Sequence, residues 1–404
     1  ILGAHPRGSA VALDVNASGG MAALDALIAQ SDVVISLLPY VFHLDVARKC
    51  LAHKRHLVTT SYVKPEMQAL DGAAKEAGLL FLNELGLDPG IDHMSAMRVI
   101  EAVKDGGGTV VSFRSYCGGL PSPDDNDNPL GYKFSWSPKG VVLAGTNSAK
   151  FIEDGHLKEI PNTRLFATHW PVFAAGVGEL EGYPNRDSVS YIETYGLHGV
   201  HTMFRGTLRN LGWCATWQKL VELGIVNPTP RADLHTFTFG SLVGEMAGRM
   251  PGEDARGAVA RFLALHPQSL EMNNIAWMGL LDNRPIPRGA ESLADALAMR
   301  LAEMMPYRKG EKDMIVLLHE FLVSYPGRSA LRRITSTLVA CGEPEGDSAM
   351  SKTVSLPAAV GTKLLLDGHI RLTGVHIPVV RELYEPILDE LKGLRIECVE
   401  EWED

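Results

Sequence analysis

Two groups of residues in this sequence could do chemistry. The first is the run Asn83-Glu84-Leu85-Gly86-Leu87-Asp88-Pro89-Gly90-Ile91-Asp92-His93, which follows the apolar stretch Leu79 to Leu82. That stretch reads as a strand, Asp88-Pro89-Gly90 as a turn and the residues from Ile91 as a helix, so the polar groups stand at the carboxyl end of a strand. In an open α/β sheet this is the edge that binds ligands. Pro89 withholds a backbone donor and Gly90 permits a tight reversal, which leaves Asp88 either facing a cleft or capping the next helix. A carboxylate facing the cleft is placed to accept a proton or to balance a cation that forms on a substrate. His93, one turn into the helix, reads as structural.

The second group is rich in arginine. Glu181-Gly182-Tyr183-Pro184-Asn185-Arg186-Asp187-Ser188 and Arg205-Gly206-Thr207-Leu208-Arg209 set three guanidinium groups beside turn-forming residues. Each can hold one carboxylate through two parallel hydrogen bonds, which favours a substrate with several carboxylates. The alternative is that these are ordinary solvent-exposed arginines near loops.

The composition supports elements able to position both groups. The 404 residues suggest two or three domains, at about 150 residues each. Hydrophobic residues make up 46% and charged residues 21%, the balance of a packed soluble protein. No apolar run approaches the roughly 20 residues of a membrane span. The net charge of −10, without clustered Lys and Arg, argues against a nucleic-acid partner. Cys50, Cys117, Cys214, Cys341 and Cys398 lie far apart with no C-x-x-C pair, which suggests a reducing compartment and no disulfide framework. No metal site is expected. The opening residues, ILGAHPRGSA, show no signal peptide, and the expected location is cytoplasmic.

From Ser9 onward short β-branched runs alternate with amphipathic helices. Strands are expected at Ala10 to Val15, Asp32 to Leu38, His56 to Thr60 and Leu79 to Leu82, with helices at Met21 to Gln30, His43 to Lys54 and Lys64 to Gly78. Such alternation marks a doubly wound parallel sheet. The strand-end clusters Asp14-Val15-Asn16, Leu37-Leu38-Pro39-Tyr40, Thr59-Thr60-Ser61-Tyr62 and Leu87-Asp88-Pro89 should share one edge, where a dinucleotide would lie. No G-x-G-x-x-G turn follows the first strand, since Gly3, Gly8, Gly19 and Gly20 lack that spacing. Either the domain binds no dinucleotide or its first βαβ unit is missing; the series of strand ends favours the second, an incomplete Rossmann-type α/β domain.

After the helix from Ile91 to Lys104 the pattern changes. A long strand, Thr109 to Tyr116, and longer loops suggest an α+β domain whose loops close over the first domain's edge. Residues 212 to 310 read as a helical insertion, with helices at Trp213 to Leu223, Arg256 to Leu265, Leu270 to Leu280 and Leu293 to Met305. A hairpin follows, Met314 to Tyr325 with Leu331 to Ala340, and then a helix from Ser348 to Leu366 with Pro357 inside it. The tail, a helix at Val379 to Lys392 and a strand at Leu394 to Val399, is expected to return to the first sheet. The domains are then 1–91 with 360–404, 92–211 with 311–359, and 212–310.

Six stretches stand in an order that identifies a family: Ile35 to Tyr40, Glu84 to His93, Ser115 to Pro121, Asn128 to Ser137, Tyr183 to Ser188 and Arg205 to Arg209. Together they resemble saccharopine dehydrogenase of the glutamate-forming type, found alone in fungi and as the carboxyl-terminal part of bifunctional aminoadipate semialdehyde synthase. The resemblance implies a dinucleotide-binding domain, a substrate and dimerisation domain and a helical domain, assembled as a homodimer. It implies NAD or NADP as cofactor, and saccharopine, glutamate and 2-aminoadipate 6-semialdehyde as substrate and products in lysine metabolism. By position, the cofactor would touch Asp14, Val15, Leu38, Thr60, Ser61, Leu87, Asp88, Pro89 and Ser137. Substrate would touch Ser61, Tyr62, Asp88, Cys117, Arg186, Thr207, Leu208 and Arg209. Where such a chain forms part of a bifunctional protein, the resemblance allows a mitochondrial location.

On this reading Asp88 is the catalytic candidate, accepting a proton from the substrate amine or facing the iminium that develops, while Arg186 and Arg209 hold carboxylates. Ser61, Tyr62 and Thr207 add neutral hydrogen bonds, and Cys117 reads as a packed small residue rather than a nucleophile. Two alternatives stand beside it. One is a dehydrogenase of the same architecture acting on another amino acid, such as a carboxynorspermidine-type enzyme. The other is a catalytically silent homologue.

Overall fold

In the computed structural model, which describes residues 6–403, the chain forms two compact units. One comprises the described parts of 1–94 with 353–395, the other those of 95–352 with 396–404. Gly3 and the rest of residues 1–5, assigned above to the dinucleotide-binding domain, lie outside the described residues. In chain order the strands are β1 (Val33–Ser36), β2 (His56–Thr59), β3 (Leu80–Leu82), β4 (Thr109–Pro121), β5 (Ala149–Glu153), β6 (His156–Ile160), β7 (Trp170–Ala174), β8 (Gly178–Pro184), β9 (Thr202–Arg209), β10 (Asp313–Ser324), β11 (Arg332–Cys341), β12 (Gly374–His376) and β13 (Val399–Glu403).

The first unit is an α/β sheet in the order β1-β2-β3-β12, parallel throughout. Leu57, Val58, Leu80, Phe81 and Leu82 have no exposed surface, as expected of parallel strands covered on both faces. Helices Gly20–Ala29 and His43–His53 cover it, with Ile28, Val46, Ala47 and Cys50 in its core. The stretch Lys64 to Gly78 forms two short helices, Pro65–Gln68 and Asp71–Glu76, rather than one.

Two expectations are corrected here. Ala10 to Val15 is not a strand: it pairs with nothing, Val11 is 62% exposed, and Asp14 and Val15 enter a turn in which Ala17 donates to the Asp14 carbonyl. A β-branched run without a neighbour to share its amides gains no ladder. The tail divides: its helix, Arg381–Gly393, lies in the first unit, but its final strand does not join the first sheet. The fourth position there is taken by β12, beside β3, whereas β13 pairs antiparallel with β11 in the second unit. Arg98 holds the tail in that unit, donating to the Cys398 carbonyl and pairing with Glu400.

The second unit is built on a mixed sheet in the order β13-β11-β10-β4-β9-β5-β6, with β8 joining β9 and β7 joining β8. Only the β4 and β9 pairing is parallel among these. β4 runs past Tyr116 to Pro121 because β10 matches it from Thr109 to Pro121. Gly118 makes that extension fit, since a Cβ there would lie 2.8 Å from the Leu208 side chain. Helices Trp213–Leu223, Phe239–Met246, Ala255–Phe262, Leu270–Trp277 and Leu293–Met304 pack on the same core as Tyr116, Leu120 and Phe204. Trp213 and Trp217 stack at 4.0 Å within it.

The run from Asn83 to His93 turns where its residues require. Gly90 has φ 145°, and a Cβ there would lie 2.0 Å from the Gly86 carbonyl oxygen and 2.3 Å from the Gly86 nitrogen. The obstruction is backbone and cannot rotate away. Gly90→Ala should therefore destabilise the protein by more than about 2 kcal/mol, from strain and overpacking together. A urea unfolding curve reads this, and an unchanged midpoint would show that the turn yields.

Candidate functional site

Three consecutive strand ends of the first unit are tied together by side chains. Ser36 closes β1 and Thr59 closes β2, and His43, in the first turn of the following helix, reaches both. Its Nδ1 lies 2.9 Å from the Ser36 hydroxyl, and its Nε2 lies 2.8 Å from the Ser61 hydroxyl and 3.1 Å from that of Thr59. Glu84 ties the second end to the third. It adopts φ 56°, accepts from the Val63 amide at 2.8 Å, and meets His93 Nε2 at 2.8 Å, while its own amide donates to the Ser61 carbonyl. His93 is thus held as a buried partner of Glu84. The Tyr62 hydroxyl donates to Asp88 Oδ1 at 2.8 Å, across the second and third ends.

Thr60, Ser61, Tyr62, Leu87, Asp88 and Pro89, among the expected residues of this unit, follow those strand ends. Thr60 and Ser61 are half-buried, Leu87 and Pro89 are buried, and Asp88 is half-buried in the turn between them. Leu38 packs against the unit's core. Asp14 and Val15 sit in the turn before helix Gly20–Ala29, where the Asp14 carboxylate accepts from the Asn16 amide.

Burial lowers the pKa of His43 and of His56. His56 Nδ1 accepts from the Leu80 amide at 2.9 Å, a bond that requires an unprotonated nitrogen. In the unfolded chain both titrate near about pH 6.5, so below that pH the unfolded state binds more protons than the folded one. Their contribution to stability is level above about pH 6.5 and is lost as the pH falls through their folded values. Urea midpoints at about pH 7.5 and about pH 5.5 test this: His43→Gln should lose less stability between the two than the wild type does.

In the second unit, register assembles the other group. Cys117 on β4 stands opposite Thr207 on β9, Thr207 also stands opposite Tyr183 on β8, and Glu181 stands opposite Arg209. Leu208 is buried over Gly118. Arg209 is 4% exposed. Its guanidinium lies over Tyr132 at 4.9 Å and Trp213 at 5.3 Å, donates from Nη1 to the Leu208 carbonyl, and leaves Nε without a partner. Among the described residues it has no ion pair. The carboxylate nearest in register is engaged elsewhere: Glu181 accepts from the amides of Gly212 and Cys214, both at 2.8 Å, and so caps helix Trp213–Leu223. Burial pushes the pKa of Tyr132, Tyr183 and Cys214 up, so these neighbours stay neutral. The result is a buried positive charge with no ion pair among the described residues, a place prepared for an anion.

The other expected residues are more dispersed. Arg186 is exposed, at φ 51° in the turn after β8, where its carbonyl accepts from the Lys150 amide. Arg205 is buried with its guanidinium 4.1 Å from the Tyr191 ring. Exposed Ser137 caps helix Pro138–Leu143 through the Gly140 amide. His43, Glu84, Glu181 and Tyr183 were not assigned a part by sequence reasoning. A polar residue in the first turn of a helix that follows a strand end was the available signal for His43; nothing in the pattern marked Glu181.

Because an unpaired buried charge costs folding energy, Arg209→Met should leave the protein as stable as the wild type or more so. Urea unfolding measures it, and a clear loss of stability would mean that Arg209 is balanced within the fold.

No helix among the described residues is long and apolar enough to cross a membrane, and no group of three or more His, Cys, Asp or Glu among them could hold a metal ion. Comparison with known proteins places this geometry. Residues 4–82 match the family model of the saccharopine dehydrogenase NADP binding domain, and residues 86–396 that of the saccharopine dehydrogenase C-terminal domain. The saccharopine dehydrogenase [NADP(+), L-glutamate-forming] of Schizosaccharomyces pombe is 40% identical over 405 residues, 97% of this chain and 88% of that protein. The mitochondrial alpha-aminoadipic semialdehyde synthase of Bos taurus is 41% identical over 378 residues, 92% of this chain. The chain spans only 40% of the length of that relative. Among solved structures, apo saccharopine dehydrogenase (L-Glu forming) from Saccharomyces cerevisiae superposes with a TM-score of 0.89 at 36% identity, covering 98% of this chain and 90% of that one.

Proposed function

Since this chain belongs to the saccharopine dehydrogenase family, we propose that it oxidises saccharopine with NADP and water to glutamate and 2-aminoadipate 6-semialdehyde, or runs the reverse. The observation that carries the reading is the buried, uncompensated guanidinium of Arg209 beside Cys117 and Thr207. Saccharopine offers three carboxylates to such a charge.

The first unit suits a nicotinamide dinucleotide. Parallel strand ends held in line carry the hydroxyl residues Thr60 and Ser61 and the apolar residues Leu87 and Pro89, a set that suits a carboxamide and a flat ring. Thr60, Ser61, Leu87, Asp88 and Pro89 would hold that end of the cofactor, with Asp14, Val15, Leu38 and Ser137 completing the contacts. When bound, the cofactor supplies the hydride acceptor.

The chain's residues supply charge and position. Only the neutral secondary amine has a lone pair to form C=N as hydride leaves the adjacent carbon, so the substrate ammonium first loses a proton. Asp88, oriented by the Tyr62 hydroxyl, accepts that proton or faces the iminium as it develops. Water then adds to the iminium carbon, and the C–N bond breaks to release glutamate and the semialdehyde. Arg209 holds one carboxylate with Thr207 and the Leu208 backbone beside it. Arg186, free in its exposed turn, takes a second, and Cys117 packs against the substrate. The same reading has the chain working as a homodimer, in the cytoplasm or, within a bifunctional protein, in the mitochondrion.

Asp88→Asn should lower the rate of saccharopine oxidation by tenfold or more, on the scale of about 10²-fold and above for general acid-base groups. Arg209→Met should lower kcat/KM for saccharopine by roughly ten- to a hundredfold, as expected for one charged hydrogen-bond partner. Absorbance of NADPH follows both. Wild-type turnover of a different amino acid in preference to saccharopine would redirect the substrate assignment, and an unchanged Asp88→Asn rate would remove that carboxylate from the chemistry.

A further inference from the structure

One buried histidine on the carboxyl edge of the first unit has no part in the chemistry above. His43 is 6% exposed and touches three hydroxyls, two of them on strand-end residues and the third on Ser61. Ser61 is otherwise fixed from both sides. Its amide faces the Thr59 hydroxyl at 3.4 Å, and its carbonyl accepts from the Glu84 amide at 3.2 Å. With the backbone held, the remaining freedom of Ser61 is rotation about χ1 and the direction of its O–H bond. Those are the two variables that a hydrogen bond to His43 Nε2 at 2.8 Å removes.

The other ring nitrogen explains why a histidine stands here. A neutral imidazole has one donor and one acceptor nitrogen. Ser36 engages Nδ1, so the ring cannot swing, and whichever role Nδ1 plays, Nε2 plays the opposite one. With Nδ1–H donating to Ser36, Nε2 accepts the Ser61 proton and leaves that oxygen's lone pairs to face a ligand. A leucine of similar bulk would fill the space and leave the hydroxyl free to rotate.

We propose that His43 is a positioning residue that sets the Ser61 hydroxyl for cofactor and substrate, an inference that rests on the proposed function, in which Ser61 touches both. It acts through Ser61 rather than on any reacting atom. Its loss is therefore felt in binding, and only where Ser61 has a hydroxyl to be set.

The test is a double-mutant cycle read by NADPH fluorescence titration and by steady-state kinetics with saccharopine. His43→Leu should weaken NADPH binding and raise the saccharopine KM by about tenfold, the loss of one positioned hydrogen bond, with kcat changed less than KM. His43→Gln, whose amide reaches Ser61, should recover most of that loss. In a Ser61→Ala background, His43→Leu should have almost no further effect. If His43→Leu does not fold, Ser36→Ala carries the same cycle by releasing Nδ1 and should give a smaller loss, again absent in Ser61→Ala. Wild-type affinities in His43→Leu, or a loss of equal size with and without the Ser61 hydroxyl, would overturn the inference. A wild-type chain that binds NADPH but does not turn over saccharopine overturns the proposed reaction and leaves the NADPH arm of the cycle to decide this one. A wild-type chain that binds no NADPH overturns both.

Discussion

A guanidinium buried without an acid is the most demanding feature of the second unit. Removing a cation from water costs several kcal/mol even after the protein relaxes, and folds normally place a carboxylate beside it. Here the carboxylate is in reach by register, since Glu181 stands opposite Arg209 across β8 and β9. Both its oxygens are nevertheless taken by the amides that open helix Trp213–Leu223. The helix gains a cap that its own sequence lacks, for its Ncap is Gly212, without a side chain. The charge of Arg209 is left to be balanced from outside, and aromatic faces and one carbonyl hold it in place meanwhile.

The surrounding strands make that arrangement possible. β9 has β4 along one side, while on the other its neighbour changes from β5, at Met203, to β8, from Gly206 onward. The change brings Tyr183 and Glu181 beside Thr207 and Arg209. An uninterrupted β5 and β9 ladder would have put neither there. Glycines allow the close approaches: a Cβ at Gly118 would strike Leu208, and one at Gly182 would lie 2.7 Å from Val172.

The first unit works by a chain of side-chain hydrogen bonds instead. Ser36, His43, Ser61, Glu84, Tyr62 and Asp88 link three successive loops, so residues far apart in the chain share one edge. The left-handed conformation of Glu84 is uncommon for a non-glycine residue. It is held by the Val63 amide and by His93, and it aims the carboxylate back along the edge rather than into solvent.

What the residues alone determined follows from short-range physics. Apolar runs of four to six residues between amphipathic helices specify a parallel sheet. Asp88-Pro89-Gly90 specifies a turn at a strand's carboxyl end, and the order of six motifs identifies the family and the cofactor class. The tertiary structure alone decided matters that depend on a partner distant in sequence. Ala10 to Val15 has strand-forming side chains but no neighbour, and the final strand left the first sheet because β12 already lay beside β3 while Arg98 drew the tail elsewhere. His43 and Glu181 look ordinary in the sequence. One became the link between two strand ends and the other was diverted from Arg209, because hydrogen bonds depend on distance and direction, and only the folded chain supplies those.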